Sequence, residues 1–180
     1  MRKLFILAAI LKIGFVNGQA NSIYSFHIDS ITGNHVVNFS AFQGKKILII
    51  NAASGDTASW QYTQIKQLYN QYKDSLAIVV LPSNSFNSEN SSDAAMLTFY
   101  SQQGDNRFPV TKKIKVNGNE IHPLYRWLTQ KTRNGVMDSE VNRPFQKYLI
   151  SKSGKLIGVF SARVKPFDAP LIRAITTNSN

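Results

Sequence analysis

The groups able to do chemistry in this chain are few, and what is missing bounds the rest. No cysteine occurs among its 180 residues, so thiolate nucleophiles, disulfides and thiolate metal sites are excluded. The histidines are His27, His35 and His122. None of them share the short spacing that helical zinc ligands use, and no metal site or cofactor is expected. Ser83 and Ser85 offer hydroxyls. No His stands near them in sequence to act as a base, so spacing gives a hydrolytic triad no support.

The sharpest acid is Asp56. It opens the run Asp56-Thr57-Ala58-Ser59, whose side chains suit a helix cap, and a cap of this kind is worth about 1 kcal/mol. An acid there also complements the helix dipole. The alternative is a carboxylate at a pocket mouth, able to bind a cation or an amine. Ser83, Asn84 and Ser85 would line such a pocket with Asp56 if both segments end neighbouring strands of one sheet. Lys112, Lys113 and Lys115 form the dense basic group. They read as a solvated edge or, if clustered with Lys165 on one face, as a patch for an acidic partner such as a polysaccharide or nucleic acid. Trp60 and Trp127 read as core or half-buried helix residues.

The elements that must position these groups follow from periodicity. Ile47 to Ile50 and Leu76 to Leu81 are continuous apolar runs, the pattern of strands buried on both faces. Between them Tyr62, Ile65, Leu68, Tyr69 and Tyr72 recur at helical spacing. Strand, crossover helix and strand make a right-handed βαβ unit, with Pro82 closing the second strand. A hairpin is predicted before it, from Tyr24, Phe26 and Ile28 through the turn Thr32-Gly33-Asn34 to Val36–Phe39. Further helices are predicted over Asp93 to Gln103, capped by Ser91 or Ser92 and stopped by Gly104; from Pro123 to Thr129; and from Asp168 to Ile175. A second hairpin joins Phe145–Ile150 to Leu156–Phe160 across Lys152-Ser153-Gly154. The order describes an α/β fold, a thioredoxin-like mixed sheet flanked by helices, with an N-terminal β-hairpin. The Ser- and Asn-rich stretch Ser83 to Ser92 reads as a long loop.

The chain begins with basic Arg2 and Lys3, an apolar stretch from Leu4 to Val16 interrupted by Lys12, and small residues at Val16-Asn17-Gly18. Residues 1–18 are expected to be a signal peptide, and 19–180 the exported domain, periplasmic or secreted, with no transmembrane span. The formal net charge of +11 loses the three cations of that leader, leaving +8. The 43% of hydrophobic residues, with 11 Phe and 7 Tyr, suffice for one core and argue against disorder.

Several segments, in order, resemble the glutathione peroxidase family: Phe42-Gln43-Gly44-Lys45 with Ile47 to Ser54; Tyr62 to Tyr69; Leu81-Pro82-Ser83-Asn84-Ser85-Phe86; Phe108-Pro109 with Val116-Asn117-Gly118; Pro123 to Leu128; and Phe145 to Ile150 with Gly154-Lys155. The likeness runs from about Tyr24 to the C-terminal helix. It implies the family's thioredoxin-like fold, and in the family at large an oxidoreductase that reduces peroxides and answers oxidative stress. The family's nucleophile is a thiolate or selenolate at the start of the first helix, and its attack on a peroxide oxygen yields a sulfenic acid. The resemblance places that position on Asp56. It places the family's Gln on Ser85 and a second Cys of many members on Ser83. The Trp-Asn pair falls on Arg143 and Pro144, with Asn142 as the Asn after a local shift. A carboxylate cannot cycle through a sulfenic acid. The expected function is therefore an exported glutathione-peroxidase-like protein without thiol peroxidase activity, a binding or structural module. The alternative is an enzyme of another kind using Asp56 and the neighbouring serines.

Overall fold

The two continuous apolar runs become the parallel pair of strands in a four-stranded sheet. A computed structural model describes residues 22–89, 91–104 and 108–177; the expected signal peptide lies outside the described residues. Strand β3 (Lys46–Ala52) pairs in parallel with β4 (Leu76–Pro82) and antiparallel with β5 (Lys147–Ile150), which pairs with β6 (Leu156–Phe160), so the sheet order is β4-β3-β5-β6. A separate two-stranded hairpin joins β1 (His27–Asp29) to β2 (Val36–Asn38). The helices are α1 (Gln61–Tyr72), α2 (Asp93–Gly104), α3 (Pro123–Thr129), α4 (Lys131–Asn134) and α5 (Ala169–Thr176). This is the thioredoxin-like arrangement, with the N-terminal hairpin attached.

Alternation along β3 feeds two cores. Ile47 and Ile49 of β3 face the hairpin and α3, meeting Val37, Leu124 and Leu128. Leu48 and Ile50 face the other way, meeting Ile65 and Leu68 of α1, Met96 of α2 and Leu171 of α5. A strand buried on both faces must be apolar at every position, which is why periodicity of two is absent from its sequence.

The predicted first strand is shorter in the structure. Ile23–Ser25 forms a 3-10 turn instead of strand. The Tyr24 hydroxyl donates to Lys152 O at 2.6 Å, and its ring lies so close to Gly154 that a Cβ there would sit 2.7 Å from it. Gly154 also holds φ +83°, a left-handed conformation that a side chain disfavours. Tyr24 is thus spent on the far hairpin turn rather than on the edge of β1. The outer edge of β4 is covered in turn: Val80 N donates to Pro109 O and Thr111 N to Val80 O, while Lys112 N donates to Asp29 O. That seals an edge that would otherwise offer unpaired backbone groups.

Two lysines are buried in this framework. Lys46, at the first position of β3, is 3% exposed. Its Nζ donates to Ala174 O, Ile175 O and Thr177 O, carbonyls at the end of α5. These are the unpaired carbonyls of a helix terminus, where a cation also meets the negative end of the dipole. Lys147 opens β5 with no exposed surface.

Candidate functional site

The end of β3 and the turn that follows it carry the positions singled out from sequence. Asn51 is fully buried. Its Nδ2 donates to Arg143 O at 3.0 Å, and its backbone O accepts from Phe145 N at 2.6 Å. This clamp fixes the approach to β5. Phe145 itself sits at φ +66°, a conformation costing a non-glycine residue about 1–2 kcal/mol, and its ring packs edge-on to Tyr62 at 5.2 Å.

Below that turn lies a buried carboxylate. Glu89 has no exposed surface and accepts from Ser54 N at 2.7 Å, Ser54 Oγ at 2.7 Å and the Tyr100 hydroxyl at 2.8 Å. Beside it Gly55 N donates to Ser88 O at 3.0 Å. A Cβ at Gly55 would come within 2.9 Å of that same oxygen, so only glycine allows this approach. The loop after β4 is thereby zipped onto the turn after β3. The rings of Tyr62 and Tyr100 meet edge to face at 5.6 Å. The Tyr62 hydroxyl faces Tyr100 without the alignment of a hydrogen bond. Burial pushes both phenols well above their ordinary range; the negative charges of Glu89 and Asp56 add to this at Tyr62, and Tyr62 and Glu89 add to it at Tyr100.

Lys147 braces the start of α1 from the other side. Its Nζ donates to Gln61 Oε1 at 2.9 Å, Phe145 O at 2.8 Å and Val164 O at 2.8 Å. Burial lowers its pKa to about 8, with Asp168 pulling the other way. Gln61 Nε2 then reaches Ala162 O at 3.2 Å.

Above this floor the sequence-predicted residues stand apart. Asp56 is half-buried, and its Oδ1 accepts from Ala58 N at 2.8 Å. Asp56 O accepts from Ser59 N at 3.0 Å, so the acid caps an irregular turn that precedes α1 rather than the first N–H groups of α1. Ser83 is buried, and its Oγ accepts from Ser85 N at 3.2 Å; Ser85 Oγ accepts from Val116 N at 3.1 Å. Asn84 and Ser85 line an open groove with Lys115, Asn117, Gly118 and Glu120. Asn142 is exposed and lines an adjoining groove with Val116, Asn117, Gly118, Ile121 and Val141. Asp56 lines neither groove. The structure therefore brings Ser85 and Asn142 to two sides of one turn, and leaves Asp56 apart from both.

The other candidates have local partners. His122 Nδ1 accepts from Leu124 N at 3.2 Å and caps α3, with burial lowering its pKa. His35 Nδ1 meets Thr32 Oγ1 at 3.3 Å, and His27 is exposed on β1. No hydrogen bond among the described residues joins a His to Ser83 or Ser85, and none of their His, Asp and Glu groupings is suited to hold a metal ion. Lys112 pairs with Asp29 at 3.3 Å, Lys113 Nζ donates to Ser91 O at 2.8 Å, and Lys115 lines the groove. Trp60 is 49% exposed, with Lys165 Nζ 5.9 Å from its ring centre, whereas Trp127 is 3% exposed.

Glu89, Lys147 and Asn51 are the residues that sequence reasoning passed over. Lys147 had a signal: a charge inside the apolar run Phe145–Ile150 must be buried or break the strand. Glu89, in a loop of Ser and Asn, gave none.

The family model for glutathione peroxidase matches residues 23–129. Probable glutathione peroxidase 8 of Arabidopsis thaliana is 34% identical over 157 residues, covering 85% of this chain and 90% of that protein. Glutathione peroxidase homolog BsaA of Bacillus subtilis is 30% identical over 147 residues, covering 81% and 91%. Among solved structures, Trgpx in its apo form superimposes with a TM-score of 0.64 at 28% identity, covering 87% of this chain and 97% of that one. The dsbF structure from MTB, at 13% identity and a TM-score of 0.59 over 87% and 99% of the two chains, shares the fold alone.

Proposed function

The chain belongs to the glutathione peroxidase family, and from that premise we propose that it is an exported member without thiol peroxidase activity, serving as a binding or structural module. The observation that carries the reading is the acid at position 56 in a chain with no cysteine. Reduction of a peroxide by the family's route needs a sulfur or selenium atom that accepts the oxygen and is then reduced. A carboxylate offers no such cycle. Asp56 turns its oxygen back to Ala58 N, a contact that needs no ligand. The serines at the other family positions are each engaged locally, Ser83 with Ser85 N and Ser85 with Val116 N. That removes the motive for an enzyme built on Asp56 and these hydroxyls. Export rests on the basic and apolar leader and is checked by the N-terminal mass of the protein recovered from its native cell.

The test of activity is peroxide consumption by the purified domain with glutathione or thioredoxin as reductant, beside Asp56→Cys. Wild type should be inert. The variant should gain turnover if the retained floor suffices to hold a thiolate, because Ala58 N is then free to donate to the sulfur. Substantial thiol-dependent turnover by wild type would overturn the reading.

A further inference from the structure

Among the described residues asparagine is followed by glycine at Asn117-Gly118 and at Asn134-Gly135. Such a pair is able to react with itself, because the glycine N–H lies next to the side-chain amide carbon and no Cβ crowds the approach. The two pairs are held in opposite ways. Asn134 is 6% exposed. Its Nδ2 donates to Trp127 O at 3.0 Å, Leu128 O at 3.3 Å and Met137 O at 2.9 Å, and its Oδ1 accepts from Val136 N at 2.7 Å and Met137 N at 3.0 Å. Gly135 N, the atom that would attack, donates to Lys131 O at 2.8 Å. Asn117 is half-buried and Gly118 exposed, and both line the open grooves on either side of their turn. The Asn117 side chain makes no hydrogen bond to the described residues, and Gly118 N donates to none of them. A Cβ built on Gly118 would meet nothing within 4 Å. The glycines share a left-handed conformation, φ +79° at Gly118 and +75° at Gly135. The difference between the pairs therefore lies in their bonds and not in the glycine torsion.

We propose that Asn117 is a self-modification site, converting to aspartate and isoaspartate, while Asn134 is preserved by its partners. Gly118 N attacks Asn117 Cγ. The new C–N bond closes an imide ring, the Cγ–Nδ2 bond breaks, and Nδ2 leaves as ammonia with the proton from Gly118 N. Water then opens the imide. Breaking the bond from Gly118 N to Cγ gives aspartate. Breaking the bond from Gly118 N to the main-chain carbon of Asn117 gives isoaspartate, whose chain runs through Cβ and Cγ with an extra backbone atom. Either product puts a carboxylate where a neutral amide stood, in the groove that Lys115 and Glu120 also line. The same cyclisation at Asn134 must first free Gly135 N from Lys131 O and strand the buried partners of the amide, a cost that confines it to locally opened chains. The inference is independent of whether the chain turns over peroxide.

The test is incubation of the whole domain at mildly alkaline pH and body temperature, followed by peptide mapping with fragmentation spectra that locate each exchange of NH2 for OH. In the folded protein Asn117 should convert about tenfold or more faster than Asn134. The rate at Asn117 should rise with pH, because the attacking nitrogen must give up its proton. Isoaspartate should accompany aspartate at that position, the mark of an imide intermediate. Asn117→Gln, which changes a side chain the fold does not bond, should abolish the conversion. In urea the two asparagines should convert at similar rates, since both pairs are then free. Equal rates in the folded protein overturn the proposal. So does a folded Asn117 that stays intact while the unfolded one converts, which would mean that the turn protects it. A difference between the sites that persists in urea overturns it too, because the fold would then not be its cause.

Discussion

The floor beneath the family's catalytic position and the rim above it are built differently. On the floor, Asn51, Phe145 and Lys147 are hydrogen-bonded in one group and Ser54, Glu89 and Tyr100 in another, the Tyr62 ring packing against both, and Glu89 alone accepts three buried or half-buried donors. On the rim, Asp56 and Ser85 each have one side-chain hydrogen bond to a nearby backbone N–H, and Asn142 has none among the described residues. Buried polar groups are held in place because removing any one strands its partners without water. Exposed groups with a single local bond carry no such penalty. Chemistry can therefore leave a site through its rim while the floor persists for reasons of stability alone.

Variants that break this comparison should rank by how many partners they strand. Glu89→Ala leaves Ser54 N, Ser54 Oγ and the Tyr100 hydroxyl facing a gap, and should cost about 3 kcal/mol or more in urea denaturation. A cost below about 1 kcal/mol would mean that the floor is no more coupled than the rim. Lys147→Met keeps the packing but removes the donor to Gln61, Phe145 and Val164, and should cost about 2 kcal/mol at neutral pH.

The same lysine gives a pH signature. Its folded pKa of about 8 lies below the ordinary 10.5, so between those values the unfolded chain binds the proton and the folded chain does not. Stability from this group is therefore gained as pH rises through that window and lost as pH falls through the folded value. The stability difference between wild type and Lys147→Met should shift in favour of wild type across that range, and a flat difference would place the charge in a more solvated setting. Asp56→Ala should cost about 1 kcal/mol, the worth of one cap. Ser85→Ala should cost about 0.5 kcal/mol, and both are read by the same denaturation curves.

The central βαβ unit was legible because its signals are strong and local: two apolar runs, and a helix whose Tyr62, Ile65 and Leu68 recur at the right spacing and are indeed buried. The late hairpin and α3 were legible from turn residues and from Pro123. Tyr24 misled, since an alternating aromatic looks like a strand until a distant glycine makes room for it. The short helix α4 was missed because its start has no capping side chain and its stop, Gly135 at φ +75°, lies among polar residues. The site itself was legible only through resemblance. Nothing in the spacing around Asp56 distinguishes a lost nucleophile from an ordinary cap, and the partners of Glu89 lie in other elements, from Ser54 to Tyr100.

The clasp of Lys46 on the last turn of α5 spans 128 residues to Ala174. The second residue of this pair emerges only when most of the chain has been made. Until then the first residue of the central strand carries a charge with no acceptors, and burying it would be unfavourable. A chain shortened before α5 would leave Lys46 without these three acceptors, and urea denaturation should find it less stable than the full chain.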